Sequence, residues 1–459
     1  MKKIKILVIG LIFVLIGSIS AVTRWEREYP ELATEYGISH LTGICETYDK
    51  GFAFISMSYI DNDDMMLVRI DSLGNLLWVK KIFSSGPEQD DPTSIKETPD
   101  KGFIIVGISD YPYQATLIKT DSLGNVIKDT AWIPQGCYSA TLYDVTRTSD
   151  NNWIAVGFVK LNDETLKTYI VKFNDELEIE WERFYSKLCG QKIRRDGENY
   201  ILFTAGTSIF RLVKINQNGD TLWCKKYTGN DLNWYWFSAY DVAVTTDGYL
   251  ITGGRVKNMG GSPLSYLLET DKNGNLLWFK VYPLLTDSAP NDRGKICWQT
   301  DDGGYLMIAE APFEQQIWIV KIGPNRDTLW TKRYSVEGNI VNKASQAWPT
   351  KDSGIIIGGS TAEDFGVNHR VYLIKTDKYG NVGIEEVIKE KEIVEISYLS
   401  YRLICFEGQN NTEIEIYNIL GQRIIKKKIE NGRLIINLSH SGIYFWKTNR
   451  ESGKIVLLE

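Results

Sequence analysis

Asp71-Ser72-Leu73-Gly74-Asn75-Leu76-Leu77-Trp78 reads as a tight turn between two apolar strands. Asp bonds its own backbone, and Gly accepts a positive φ, so the pair suits a hairpin. The segment returns at Asp271 to Trp278, and at Asn216 to Trp223 with Gly219-Asp220. Weaker copies run from Asp121 to Ile127, Asn174 to Trp181, Gly323 to Trp330 and Asp377 to Val382. The 306 residues from Asp71 to Asp377 divide into six intervals of 51.

A second turn keeps step with the first. It appears as Asp49-Lys50-Gly51-Phe52, Asp100-Lys101-Gly102-Phe103, Asp150-Asn151-Asn152-Trp153, Asp196-Gly197 before Tyr200, Asp247-Gly248-Tyr249, Asp302-Gly303-Gly304-Tyr305 and Asp352-Ser353-Gly354-Ile355. Each repeat therefore reads as four strands, in the first about 41–47, 51–57, 65–71 and 76–82. Four short strands repeated every 40–50 residues predict a β-propeller.

The seventh repeat stops at Asp377-Lys378-Tyr379-Gly380-Asn381-Val382-Gly383, with no outer strand behind it. The missing strand stands at the other end. Trp25-Glu26-Arg27-Glu28-Tyr29 matches Trp223-Cys224-Lys225-Lys226-Tyr227 and Trp330-Thr331-Lys332-Arg333-Tyr334. A spare strand at the start and a gap at the end predict ring closure, for which a solenoid has no use. The expected fold is all-β: a seven-bladed β-propeller over residues 21–383, closed by an N-terminal strand. Trp25, Trp78, Trp181, Trp223, Trp278 and Trp330 recur at one repeat position and are expected to wedge between blades.

The first 20 residues read as a secretory signal peptide. Lys2, Lys3 and Lys5 precede an apolar run from Ile6 to Ile16, and Ser18-Ile19-Ser20 supplies small residues for cleavage. That run is too short to span a bilayer. No later segment is long enough to cross a membrane. The formal charge of −6 becomes −9 once the three Lys are removed, a poor match for nucleic acid. The six Cys are scattered without close pairs, which implies no disulfide framework. Cys45 and Cys297 hold equivalent repeat positions and are expected to be buried.

After Gly383 the pattern changes. A Glu- and Lys-rich linker from Ile384 enters seven short alternating strands within 75 residues: Val394–Tyr398, Tyr401–Glu407, Thr412–Tyr417, Arg423–Ile429, Gly432–Asn437, Gly442–Thr448 and Lys454–Leu458. These predict an immunoglobulin-like β-sandwich over residues 384–459. Ile414-Glu415-Ile416-Tyr417-Asn418-Ile419-Leu420-Gly421-Gln422 resembles the strand-turn of type 9 secretion C-terminal sorting domains. Ile436 to Phe445 and Gly453 to Leu458 resemble the next two signatures, in order. The resemblance implies that residues 384–459 engage secretion machinery. It also implies export to the outer surface of a Gram-negative bacterium, or into the medium. The repeats are similar to propellers often joined to such domains, which brings no activity with it.

Catalytic chemistry is hard to assemble from these residues. Only His40, His369 and His440 are present, without ligand spacing, and they read as surface or turn residues. Asp61-Asn62-Asp63-Asp64 clusters oxygen ligands but lacks a calcium-loop spacing. Asn218-Gly219-Asp220-Thr221-Leu222-Trp223 looks like a sialidase Asp-box, with different spacing. No cofactor, metal site or catalytic residue is assigned. Binding is expected on the face that carries the loops from second to third strands and between blades. Its richest loop holds Asn230, Asp231, Trp234, Tyr235, Trp236 and Phe237, whose rings and amides suit a glycan or a peptide. Arg255 to Leu264 and Pro283 to Arg293 flank it. The expected function is an exported binding or scaffold propeller. The alternative is a secreted hydrolase or lyase acting on polysaccharide at the same face.

Overall fold

The computed structural model describes residues 24–60, 64–83, 90–186, 190–206, 208–257, 259, 261–283, 292–311, 316–364, 369–382, 395–398, 403–407, 410, 412–440, 442–448 and 452–457. The stretch 1–20 expected to be a signal peptide, residues 61–63, Cys189 and residues 284–291 lie outside these. The chain divides into two compact units, Met1–Gly383 and Ile384–Glu459.

The repeated turns form as their chemistry requires. Asp71 Oδ1 accepts from the backbone N–H groups of Leu73 and Asn75, both at 2.8 Å, and Gly74 takes φ 79°. Asp121, Asp271 and Asp377 repeat this geometry. At the other turn a Thr two residues before the Asp donates to it, and a cation from the third strand closes the group. Thr350 donates to Asp352 at 2.5 Å, Lys375 reaches the same carboxylate at 3.0 Å, and Lys375 is buried. Thr300, Asp302 and Lys321 form the same cluster, and the Asp302 carboxyl is held down at about 2: burial opposes its charge, but Lys321, Thr300 and a backbone N–H outweigh burial.

Among the described residues, these hairpins build seven four-stranded antiparallel sheets in the first unit. The seven leading strands are Gly43–Glu46, Asp91–Glu97, Cys137–Arg147, Gly190–Asp196, Trp236–Val244, Arg293–Gln299 and Val341–Pro349. Each touches the next in that order, and Val341–Pro349 touches Gly43–Glu46. The fold is all-β and propeller-like. The seventh sheet takes its outer strand from the start of the chain: Trp25–Tyr29 pairs with Arg370–Thr376, Trp25 opposite Lys375 and Tyr29 opposite Val371.

Neighbouring sheets grip each other through the outer strand and the next sheet's glycine turn. The tryptophan lies on the turn. A Cβ added to Gly124 would meet the Trp78 ring at 2.5 Å, and one on Gly74 would meet Trp25 at 3.0 Å. Trp181, Trp223 and Trp330 pack likewise on Gly219, Gly274 and Gly380. Four residues on, except after Trp78, where Ile82 stands, a tyrosine hydroxyl donates to the turn's carbonyl. Tyr29 reaches Gly74 O at 2.7 Å, Tyr227 reaches Gly274 O at 2.5 Å, Tyr282 reaches Arg326 O at 2.9 Å, and Tyr185 and Tyr334 reach Gly219 O and Gly380 O. The residue between them is basic, as with Arg27 on Asn75 (2.9 Å) and Lys225 on Asn275 (3.2 Å). One junction departs from this on both sides. Lys128 replaces the tryptophan, and Leu177 replaces the glycine at φ 59° and is buried in the core.

In the second unit, Glu395–Tyr398, Leu403–Glu407 and Arg433–Asn437 form one sheet. Arg423–Lys428, Glu413–Tyr417, Gly442–Lys447 and Ser452–Leu457 form the other. Ile404, Phe406 and Ile436 of the first share a core with Ile414, Ile416, Trp446 and Ile455 of the second.

Trp25→Ala is expected to lower the unfolding free energy by about 3 kcal/mol, and Tyr29→Phe by about 1 kcal/mol. Denaturant melts with unchanged midpoints for both variants would contradict the lock.

Candidate functional site

Six of the seven leading strands slip register at one level. The slips fall between Pro92 and Ser94, Leu142 and Asp144, Gly190 and Lys192, Ala239 and Asp241, Gly294 and Ile296, and Ala344 and Gln346. A bulge leaves its extra residue unpaired and re-aims its side chain. The six extra residues are Thr93, Tyr143, Gln191, Tyr240, Lys295 and Ser345, and all six line cavities to which the leading strands contribute. Close approach of backbone makes this possible. Opposite one bulge, a Cβ on Gly157 would lie 1.9 Å from Thr141 O.

The outer cavity, about 700 Å³, is lined by His40, Leu41, Thr42, Asp91, Thr93, Tyr143, Phe158, Gln191, Lys192, Ala205 and Ser345. His40 is half-buried there, with Tyr59 OH 3.3 Å from its Nδ1. Burial, then His369 and Lys343, pull its pKa down. His40 thus lies in the segment before a leading strand, as expected, and also lines this cavity. Asp91 Oδ1 is buried without a hydrogen-bond partner, and burial pushes this carboxyl up to about 6.

Deeper in, Arg194 bridges two aspartates, Nη1 to Asp144 at 2.5 Å and Nη2 to Asp241 at 2.9 Å. Asp144 also accepts from Ser94 Oγ (3.1 Å) and Ile193 N (3.0 Å), and Asp241 from Cys297 N (3.2 Å). The carboxylates thus stitch five consecutive sheets together. Burial opposes the charge of Asp144, but Arg194, Lys192 and Lys96 outweigh it and hold its pKa below the usual range. For Asp241 burial wins over Arg194, and its pKa lies above that range.

The loop singled out from the sequence does not present its rings together. Trp234 is 5% exposed and packs on Phe237, Tyr266 and Phe279, with centroids 5.5, 4.8 and 5.4 Å away. Phe237 is fully buried. Both rings fill the core between two sheets because Gly229–Leu232 forms a helical turn, capped by Thr228 and Asp231, that folds the loop inward. Tyr235 is exposed, Trp236 half-buried, and Asn230 and Asp231 are exposed. Cys297 is buried and Cys45 half-buried, both as free thiols.

A different aromatic group meets solvent. Tyr111, Tyr113 and Tyr138 are 64%, 42% and 41% exposed. Tyr138 OH donates to Tyr111 OH at 3.2 Å, and the Tyr111 and Tyr113 rings meet edge-on at 5.8 Å. Lys160 Nζ stands 5.4 Å from the Tyr138 ring. Tyr111 and Tyr113 sit in a connection from second to third strand, and Tyr138 begins a leading strand. Strand alternation puts both on the same face as the outer cavity. Their signal in the sequence was Tyr111-Pro112-Tyr113, in a connection too short to fold over its own rings.

Residues 391–457 match the family described as the secretion system C-terminal sorting domain. The tail is a sorting domain of that family. The sorting domain makes this an exported chain, bound for the cell surface or the medium of a Gram-negative bacterium. No curated protein matches the chain. Solved structures similar to it share little sequence. One is PorZ, an essential surface component of the type-IX secretion system of Porphyromonas gingivalis, with 9% identity and TM-score 0.43 over 91% of this chain and 59% of that one. The chain thus spans 59% of PorZ's length. Another is the BP39L lectin of Burkholderia pseudomallei, with 9% identity and TM-score 0.49 over 75% and 98% of the two chains. A third is YCF48 bound to D1 peptide, with 8% identity and TM-score 0.47 over 77% and 97%. Among the described residues, no helix is long and apolar enough to cross a membrane.

The Asp91 carboxyl holds its proton to a higher pH in the folded chain than in the unfolded one. Its contribution is therefore full below the ordinary value of 3.8 and is lost as pH rises through about 6. Asp91→Asn is expected to raise stability at pH 7.5 by about 1–2 kcal/mol and leave it unchanged at pH 3.5. Thermal melts at the two pH values check this. Trp234→Ala is expected to cost about 3–5 kcal/mol, measured by denaturant melt, as a core ring would and an exposed one would not.

Proposed function

We propose that this chain is an exported binding protein whose ligand face is the loop face carrying Tyr111, Tyr113 and Tyr138. In this reading residues 1–20 are a removable leader and residues 21–383 are a seven-bladed β-propeller closed by Trp25–Tyr29. Residues 384–459 are then an immunoglobulin-like β-sandwich that engages the secretion machinery. The carrying observation is the tyrosine group itself: three rings held by a hydroxyl contact and an edge-on packing, exposed on a rigid frame. Tyrosine offers a flat apolar face and a polar tip at low entropic cost, which suits the alternating CH and OH faces of a sugar. Glycan is therefore the proposed ligand class. Tyr235 extends the same face, with Asn230 and Asp231 at its edge. A hydrolase would call for two converging carboxylates. Among the described residues, Asp91 is the one carboxylate that lines the outer cavity.

On a glycan array, the mature protein is expected to bind at least one glycan, and Tyr111→Ala with Tyr113→Ala to weaken that binding about tenfold. No glycan bound, or equal binding by the double variant, would refute the reading. Deletion of residues 384–459 is expected to hold the protein in the periplasm. Normal surface delivery of the truncated chain would remove the sorting role.

A further inference from the structure

Two inner cavities lie below the tyrosine face, and all seven leading strands contribute to their walls. Lys192 lines both, as do Gln346 and Trp348, and Lys96 lines one. Lys96 Nζ sits 4.4 Å above the Trp348 ring, and Arg194 stacks on the same ring at 5.5 Å. The charges do not balance. Arg194 is held by Asp144 and Asp241, and Lys295 by Glu310 at 3.5 Å. Among the described residues, neither Lys96 nor Lys192 has a carboxylate within ion-pair distance. The four cations and three carboxylates of this inner set sum to one positive charge, inside a chain that is acidic overall, and Asp91 lines the outer cavity along with Lys192. Desolvated ammonium groups are costly unless a counter-charge meets them. Burial already pulls the Lys96 ammonium below its usual range, with Asp144 acting against that pull.

We propose that the channel binds one small oxyanion group, a carboxylate or a phosphate, beside Lys192 and against Trp348, whose ring also carries Lys96. One negative charge neutralises the set. The larger inner cavity, about 110 Å³ and lined by Lys192, Gln346 and Trp348, admits a single such group and no extended ligand, whereas the smaller one, which Lys96 lines, is about 10 Å³. Gln346 and Ser345 add polar groups at its wall. Their neighbours are already spoken for: Gln346 Nε2 donates to Thr42 O at 3.2 Å, which fixes its amide at the wall. Entry is from the outer cavity, which Lys192 also lines. This site is separate from the tyrosine group, so either can fail without the other.

Calorimetric titration of the full chain with sodium phosphate and with sodium acetate, at fixed ionic strength, tests the assignment. Lys96→Met and Lys192→Met are the variants, each first shown to melt like the wild type. Lys226→Met, exposed on an outer strand, is the control. The result expected is saturable binding of one or both anions below about 10 mM. It should weaken about tenfold or more in both channel variants and stay unchanged in the control. Phosphate alone would mark a phosphate site, acetate alone a carboxylate site, and both a site that reads charge. No saturable binding by the wild type, or binding that either channel variant retains in full, would overturn the proposal. If a channel variant fails to fold, Lys96→Gln or Lys192→Gln takes its place under the same criteria.

Discussion

The first unit depends on an outer-strand tryptophan resting on a left-handed glycine of the next sheet. The contact needs both partners. A side chain on the glycine would strike the ring, and a smaller residue at the tryptophan would leave the turn uncovered. The tyrosine hydroxyl four residues on fixes the distance by donating to the same turn. No sheet completes this contact alone, so stability belongs to the circle of sheets. Two junctions depart from this contact: under Trp278 the glycine's place is taken by Arg326 at φ 69°, whose guanidinium lies 4.9 Å from the ring. Where Lys128 stands for tryptophan, the turn carries Leu177, and its own side chain fills the core.

That rigidity is what makes a site possible. Bulges at one level of six leading strands turn Thr93, Tyr143, Gln191, Tyr240, Lys295 and Ser345 inward without loosening the sheets around them. Asp144 and Asp241, joined by Arg194, tie successive sheets at the same depth. The channel is therefore polar, crowded and fixed. The tyrosine group on the loop face stands on the same frame, while the sorting domain forms its own core from Phe406, Trp446 and their neighbours.

Much of this was legible in the sequence, for a physical reason. Turn chemistry is local: Asp71 and Gly74 announce their hairpin without help from distant residues, and a period of 51 then multiplies the signal. The spare strand at Trp25 and the sorting signatures after Gly383 were read the same way. The site was not, because burial is a tertiary property. Trp234 and Phe237 look like a binding loop until the turn at Gly229–Leu232 folds them under. The bulges leave only a faint mark, a glycine four residues after the turn's large residue, as in Trp153 and Gly157 or Tyr249 and Gly253. His40 gave no sign of lining a cavity, since most of that wall comes from other repeats.

Hydrogen–deuterium exchange on the intact chain tests the closed circle most directly. If Trp25–Tyr29 completes the seventh sheet, peptides covering residues 24–30 and 370–376 exchange slowly and together, at the rate of the central strands. Fast exchange across 24–30 beside lasting protection at 370–376 would show a sheet that ends without its last strand, and the account would fail.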